Sequence, residues 1–279
     1  AMELFKKRDY ENALEEFKKL LEHDNKNAHL YNNIGLCYAH LGQNTQAEEY
    51  YKKALFLDDK LVETYINIAD IYYKENRLWD AIEILQSAIA LIPDNAALRH
   101  YLGRIYIEDK RYDDAIDALD SVLEIAPKNY DANWDLGMVY FELGDYDSAI
   151  ANFEEVLKYI EDNELIFYQT ALAYEANDEI DKAISNLLKS IAVNDKFPLG
   201  YKRIGMLFMA RGDKQDAKEY FEEYLNFDVP AEEKEKIQKN LKKKRLILIN
   251  QYTNLLCNQI TIILMKMRYM CLILNIIRI

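Results

Sequence analysis

The chain has 279 residues, a net charge of −13, three cysteines, eight glycines and four prolines. The cysteines show neither a disulfide pattern nor a metal-binding spacing, which suits a reducing compartment or simply an absence of disulfides. So few glycines and prolines exclude a long disordered linker. The acidic character argues against nucleic-acid binding, because the phosphate backbone would be repelled.

The dominant feature of the chain is a repeat with a step of 34 residues. A small residue and an aromatic residue both follow this step, at Ala13, Ala47, Ala81, Ala115, Ala149, Ala183 and Ala217, and at Tyr38, Tyr72, Tyr106, Tyr140, Tyr174 and Phe208. A period of this length predicts a helix–turn–helix module that is too small to bury its own apolar face and therefore stacks on its neighbours. No alternating strand pattern occurs.

In chain order, the first predicted segment is an N-terminal half repeat at 1–27, because Ala1 already lies where a first helix is two turns old. A signal or anchor upstream of Ala1 would therefore be invisible. Six whole repeats follow at 28–230. Glycines that allow a left-handed backbone are expected to end first helices at Gly42, Gly144 and Gly212. Pro-Asp-Asn and Pro-Lys-Asn at Pro93 and Pro127 start new repeats.

Within each repeat, the sequence predicts a close contact between two helices. Small residues let the helix backbones approach, and large residues fill the adjacent gap. The small first-helix residues are Gly35, Ala69, Gly103, Gly137, Ala171 and Gly205, and the large second-helix residues include Tyr51, Leu85, Leu119, Phe153, Leu187 and Phe221. We also expect Tyr72, Tyr106 and Tyr140 to be largely buried, and the second-helix alanines to lie at close contacts.

These residues resemble the tetratricopeptide repeat (TPR) family over about residues 1–230. The resemblance implies an all-α fold, a right-handed superhelical solenoid of helix–turn–helix repeats. A C-terminal capping helix is predicted at 231–249, since solenoids cover their last repeat with a polar helix. In this family the first helices of successive repeats line a concave groove that binds a peptide or a helix of a partner protein.

The period, mapped onto that groove, predicts partner-binding residues in two halves. The early half is polar and includes Asn67, Tyr73, Tyr101 and Arg104. The late half offers aromatic and methionine side chains, which supply a large and adaptable contact area; its candidates are Trp134, Met138, Phe141, Leu165, Tyr168, Leu172, Arg203, Met206 and Met209. An alternative stays open, in which several of these residues pack against the neighbouring repeat.

One known specificity of the family does not fit. Family members that grip the acidic C-terminal peptide of chaperones use Lys, Asn, Asn, Lys and Arg across three repeats. At the matching places only Asn67 agrees in the first three whole repeats, and only Arg203 in the last three. A carboxylate would be poorly compensated without the basic pair, so we exclude this ligand.

The C-terminal end differs from the rest. Residues 1–230 carry a net charge of −20, whereas 246–279 contain no acidic residue and are crowded with Ile, Leu and Met. For this tail (250–279 in the predicted domain division) three interpretations stay open. It could be a membrane segment starting near Leu246, although such a segment would be unusually polar. It could instead be a non-native sequence translated out of frame, or form helices that pack on the solenoid or on a partner. We expect a native tail to cover apolar solenoid surface, its own or that of a neighbour.

No catalytic constellation, metal motif or phosphate-binding loop is recognisable, so we expect neither enzyme activity nor a cofactor or metal. The predicted function is a non-catalytic protein-interaction scaffold, cytoplasmic, with a protein or peptide partner and no nucleic acid. Self-association stays open. The alternative is a membrane-tethered assembly factor that is anchored through the tail, and a catalytic protein would need a further domain upstream of Ala1.

Overall fold

Every element of the computed structural model, which describes residues 1–242, is helical, and no strand occurs within that range. Two units are distinguished, and the boundary between Asp135 and Leu136 falls inside one helix. Each unit is a row of helix pairs. The helices are α1 (Met2–Lys6), α2 (Tyr10–His23), α3 (Ala28–His40), α4 (Asn44–Leu57), α5 (Val62–Lys74), α6 (Leu78–Leu91), α7 (Ala96–Glu108), α8 (Tyr112–Ile125), α9 (Tyr130–Leu143), α10 (Tyr146–Leu157), α11 (Glu164–Ala176), α12 (Ile180–Val193), α13 (Pro198–Arg211), α14 (Lys214–Leu225) and α15 (Ala231–Lys242).

First helices end in the same way throughout. A left-handed residue follows each of them at a step of 34 residues, and these residues are Arg8, Gly42, Asn76, Lys110, Gly144, Asp178 and Gly212. At Lys110 the backbone N–H donates to Ile107 (3.0 Å), and the next N–H, of Arg111, donates to the carbonyl of Tyr106 (2.9 Å). This is the Schellman arrangement. The three predicted turn glycines are confirmed, and four other residue types adopt the same backbone.

Asparagine starts several first helices. The side chains of Asn27, Asn95, Asn129 and Asn163 each accept a hydrogen bond from a backbone N–H of the first turn, at 2.9–3.2 Å. Such a cap satisfies one of the helix donors that would otherwise lack a partner. The predicted repeat starts at Pro93 and Pro127 therefore depend on the asparagine two residues later.

The core is a row of small clusters rather than one central mass. All seven alanines of the 34-residue step are fully buried, as are Tyr51 and Leu85. Each helical glycine of the small first-helix set faces the large residue predicted for it, and Gly35 lies against the ring of Tyr51. The predicted contact between the two helices of a repeat is confirmed.

The aromatic slot is buried less uniformly than the sequence suggested. Tyr106 and Tyr174 are buried, whereas Tyr72 and Tyr140 are more exposed and fall in an intermediate range, although Tyr72 still packs against the core. The hydroxyl groups of three of these tyrosines reach the preceding second helix: Tyr72 at Glu48, Tyr106 at Gln86 and Tyr174 at Glu154. Tyr106, for example, accepts a hydrogen bond from Gln86 Nε2 at 2.9 Å. A buried ring whose hydroxyl group is partly exposed to solvent explains the intermediate exposure.

The last described helix, α15, packs on α14 through the buried Ile237. Lys202 of α13 forms an ion pair with Glu233 of α15. Burial raises the pKa of Tyr224, and its hydrogen bond to Glu233 acts in the same direction. Residues 243–249 of the predicted cap and the whole tail lie outside the described residues. Within 1–242, no helix has the length and apolar character that crossing a membrane requires.

Candidate functional site

The first helices present two surfaces, one in each unit. We call the first the polar face; it belongs to residues 1–135 and includes His29, Asn32, Glu63, Asn67, Asp70, Tyr73, His100, Tyr101, Arg104, Trp134 and Asp135. We call the second the apolar face; it belongs to residues from 136 onward and includes Met138, Phe141, Leu165, Tyr168, Leu172, Met206 and Met209. All of them lie on α3, α5, α7, α9, α11 or α13.

On the polar face, α3 and α5 are joined by side-chain amides and a hydroxyl. The buried Asn32 accepts hydrogen bonds at its Oδ1 from Thr64 Oγ1 (2.9 Å) and from Asn67 Nδ2 (3.0 Å). The ring of His29 lies 3.2 Å from Glu63 Oε1, but both side chains are largely exposed. The amide of Asn67 is therefore held in one orientation at the surface.

The same pattern continues between later helices of the polar face. Tyr101 of α7 donates its hydroxyl proton to Asp70 of α5 at 3.2 Å, and Lys74 pairs with the same carboxylate at 2.5 Å. His100 Nε2 lies 2.8 Å from Asp135 Oδ2, and both side chains are mostly buried. The Lys74–Asp70 pair lies within α5, whereas Tyr101–Asp70 and His100–Asp135 each join residues about one repeat apart. The polar side chains therefore form a ladder along the first helices.

The remaining candidates of the polar face are half-buried. Tyr73 and Tyr101 pack partly against the core of α5 to α8. Arg104 and Trp134 are also half-buried. These residues combine an apolar body with a polar group, which is the composition typical of energetically important interface residues.

Several side chains of the apolar face are more deeply buried than expected for the lining of an open groove. Met138 is 5 % exposed, Leu172 is 4 % exposed and Tyr168 is 2 % exposed. The ring of Tyr168 meets that of Phe197 edge-on, with a centroid distance of 5.3 Å. Phe141, Leu165, Met206 and Met209 are half-buried. Met206 and Met209 pack against the core that α14 and α15 build around Phe221, as the packing alternative expected of some of these side chains.

Arg203 lies beside the apolar face as a buried charge. Its guanidinium Nε donates to Glu175 Oε2 at 2.5 Å, and both side chains are largely buried. A buried charge without an opposite charge would be costly, so this pair connects α11 to α13. The sequence predicted Arg203 as a groove residue but not Glu175. Glu175 lies one step of 34 residues after Phe141, at the position equivalent to Tyr73, so the repeat could have indicated it.

Thr64 was also missed, and a signal for it existed. The equivalent positions of other repeats hold Leu30, Leu98 and Ile166, so a threonine there is a polar residue in an apolar slot. The ladder is otherwise invisible in the sequence, because its partners lie in different repeats. Within residues 1–242, no group of His, Cys, Asp and Glu side chains is arranged to hold a metal ion.

Comparison with known proteins identifies the repeats. Profiles described as "Tetratricopeptide repeat" match residues 1–61, 72–136, 106–166 and 203–227. No match was found among curated proteins.

Three solved structures illustrate the similarity in fold. The C-terminal part of a TPR repeat-containing protein from Cytophaga hutchinsonii is 20% identical, with a TM-score of 0.71 over 86% of this chain and 97% of that one. PilF of Pseudomonas aeruginosa is 20% identical, with a TM-score of 0.60 over 77% and 98%. YrrB, described as a TPR protein with an unusual peptide-binding site, is 23% identical, with a TM-score of 0.54 over 67% and 97%. At these identities the likeness shows the fold alone.

Proposed function

This chain belongs to the tetratricopeptide repeat family, and from this premise we propose that it is a non-catalytic scaffold that binds a segment of a partner protein along its first helices. The observation that supports the proposal most directly is the side-chain ladder of the polar face. A binding surface must hold its polar groups in place before the ligand arrives, because ordering them on binding costs free energy. The described fold and the peptide-binding description of YrrB agree with such a role.

The chemistry of the polar face favours an extended peptide. Asn67, held by Asn32, presents an amide, a group that can pair with a peptide backbone both as donor and as acceptor. Tyr101, held by Asp70, adds an aromatic ring with little conformational freedom left to lose. Trp134 extends the same surface with a second large side chain.

The charge of the polar face sets the charge of the partner. Up to residue 135 the first helices α3, α5, α7 and α9 carry five acidic residues against three basic ones and three histidines. The acidic residues are Glu63, Asp70, Glu108, Asp131 and Asp135, and the basic ones are Lys74, Arg99 and Arg104. An acidic peptide would meet like charges there, whereas a basic one would be attracted and steered. We therefore propose that the partner segment is uncharged or basic. This agrees with the lack of the basic residues with which other family members bind an acidic C-terminal peptide.

Selection of peptides on the full chain tests this function. A random peptide library displayed on phage would be panned against the whole protein, and we expect enrichment of sequences that contain Lys or Arg. Affinity should fall in Asn67→Ala, Tyr101→Phe and Asp70→Asn. It should be retained in Gln46→Ala, an exposed control on the second helix α4 of the same unit.

Two results would contradict the proposal. One is enrichment of acidic peptides. The other is binding that tolerates all three first-helix substitutions while Gln46→Ala abolishes it. Melting curves of the variants establish that each one is folded, so that a loss of binding reports on the surface rather than on stability.

A further inference from the structure

A cavity of about 270 Å³ lies between α6, α7 and α8, away from the polar face. Its first-helix residues Arg99, Leu102 and Tyr106 are spaced by three and four positions, so they share one side of α7. Tyr101 and Arg104 of the polar face lie on the opposite side, because each residue turns an α-helix by about 100°. The cavity is therefore separate from the surface proposed above to bind a peptide.

An aromatic ring fills the same place in the first whole repeat. The ring centroid of Tyr50 lies 6.1 Å from that of Tyr31 and 5.3 Å from that of Tyr38. Two steps of 34 residues lead from these positions to the walls of the cavity. The corresponding pairs are Tyr50 with Ala118, Tyr31 with Arg99, and Tyr38 with Tyr106. A ring the size of tyrosine therefore fits beside these first-helix positions where the second helix supplies one.

Other second helices carry larger residues than alanine at this position. In α14, Tyr220 stacks on Phe208 with a centroid distance of 5.6 Å. In α6, Ile84 packs against the core. In α10 and α12, Asn152 and Asn186 donate their amide protons to backbone carbonyls of their own helices. The alanine of α8 has the smallest of these side chains, and it leaves the space open.

The walls of the cavity are held by hydrogen bonds. The hydroxyl group of Tyr106 accepts a hydrogen bond from Gln86 Nε2 at 2.9 Å. The guanidinium group of Arg99 donates to the carbonyl oxygen of Pro93 from Nη2 at 2.9 Å and from Nε at 3.1 Å. A guanidinium plane held in this way can stack on an aromatic ring. Less free energy is then needed to order the walls when a ligand binds.

The rim of the cavity is acidic. Helix α8 carries five acidic side chains and no basic one. Two of the five line the cavity: Asp114, which is paired with Arg111 at 2.7 Å, and Asp117, which is exposed. A cationic group beside the cavity would therefore be attracted.

We propose that this cavity binds the aromatic side chain of a partner protein, and that a lysine or arginine next to that side chain lies over Asp117. The volume suits one side chain, since pockets for drug-sized ligands measure about 300–1,000 Å³. The ring would take the place that Tyr50 fills in its own repeat. The inference does not depend on peptide binding to the polar face, because the two surfaces share no residue.

NMR of methyl groups in the full chain tests the proposal, because three residues that line the cavity carry them. The probe is the tripeptide Lys-Tyr-Lys, and Lys-Ala-Lys is its matched control. We expect the ring current of the bound tyrosine to shift the methyl signals of Ile89, Leu102 and Ala118, and Lys-Ala-Lys to leave them in place. The methyl signal of Ala90, which is exposed on α6, should not move with either peptide.

A substitution that fills the cavity provides a second readout. Ala118→Tyr introduces the ring that the chain itself uses at this position in α4 and α14. We expect the melting transition to persist and the peptide-induced shifts at Ile89 and Leu102 to disappear. Ala90→Tyr adds the same ring at an exposed position, and it should bind like the parent chain. Shifts that persist in Ala118→Tyr would overturn the proposed site.

The acidic rim is tested by removing one charge. Asp117→Asn should lower the affinity for Lys-Tyr-Lys at least threefold. Glu11→Gln removes the same charge from an exposed position of α2 and should leave the affinity unchanged. Equal affinities in the two variants would contradict the proposed contact with Asp117.

Two further results would overturn the aromatic occupant. One is that the signals of the cavity residues do not move at millimolar Lys-Tyr-Lys. The other is an equal response to Lys-Ala-Lys, which would leave charge as the only attraction. Tyramine, a small aromatic amine, tests the source of the ring. If tyramine binds at least as tightly as Lys-Tyr-Lys, the cavity is a small-molecule site and docking of a partner protein is overturned.

Discussion

A Cβ atom on Gly137 would lie 2.6 Å from the ring of Phe153, closer than any real Cβ contact. The same pairing of a small first-helix residue with a large second-helix residue recurs in other repeats, where the two side chains differ in size. Gly103 faces Leu119 at 3.0 Å, and the equivalent positions of two further repeats hold an alanine opposite Leu85 and Leu187. The size of the second-helix residue therefore decides how much room the first helix has.

This pairing predicts that two chemically identical substitutions differ in effect. Gly137→Ala should lower the free energy of unfolding by about 1–3 kcal/mol, because the rigid ring of Phe153 cannot yield. Gly103→Ala should change it by less than about 1 kcal/mol, since the leucine can shift and alanine favours a helix by about 1 kcal/mol over glycine. Urea unfolding of both full-length variants measures the difference, and equal effects would refute the size argument.

The hydroxyl group of Tyr51 is predicted to make no contribution to the stability of the folded protein. The residue is fully buried, burial raises its pKa, and its hydroxyl has no hydrogen-bond partner within the described part of the chain. Tyr51→Phe should leave the free energy of unfolding unchanged or raise it by about 1 kcal/mol, because an unsatisfied polar group is removed. Tyr106→Phe is the control, and it should cost about 0.5–1.5 kcal/mol because Gln86 loses its partner. A larger loss in Tyr51→Phe would reveal a hidden partner.

The left-handed residues after first helices predict a stabilising substitution. Lys110 adopts φ 59° where Gly144 adopts φ 80°. A left-handed backbone costs a side-chain-bearing residue about 1–2 kcal/mol, and the greater freedom of glycine in the unfolded chain returns about 0.4–1 kcal/mol of that. Lys110→Gly should therefore stabilise the protein by about 0.5 kcal/mol, and Gly144→Lys should destabilise it. Thermal melts of both variants give the signs, and two changes in the same direction would disprove the explanation.

His40 is predicted to titrate below its ordinary value of 6.5. Burial lowers its pKa first, and Lys74 acts in the same direction; one face of the ring stacks on Tyr10 at 4.5 Å. Because the folded state prefers the neutral ring, its contribution to stability is intact above about pH 6.5. It is lost as the pH falls from there through the lowered pKa.

Titration of the histidine side chains by NMR checks this prediction. The resonance that disappears in His40→Gln should have its midpoint below that of a free histidine. The difference in stability between the parent and this variant should also shift as the pH falls below about 6.5. A midpoint at or above the free value would contradict the effect of burial.

Features that recur in every repeat were predicted correctly from the sequence. The alanines, the small–large helix contact and the turn glycines follow a fixed step, so seven copies of the same pattern reinforce one another. The difference in burial between Tyr106 and Tyr72 or Tyr140 was not predictable, since the period marks a position on the helix but not how far a neighbour covers it. Likewise, the step placed Met138 and Tyr168 on the first helices without showing how deeply they are buried.

By itself, the sequence determined the helical repeat, its register and the acidic character of the chain, because these depend on residues a few positions apart and on composition. Only the tertiary structure decided which polar side chains meet. Asn67 with Asn32, Tyr101 with Asp70 and Arg203 with Glu175 join residues 28 to 35 positions apart in successive repeats. Such pairs depend on the packing of one helix pair on the next, and a periodic pattern leaves that geometry unspecified because each repeat satisfies the period equally well alone.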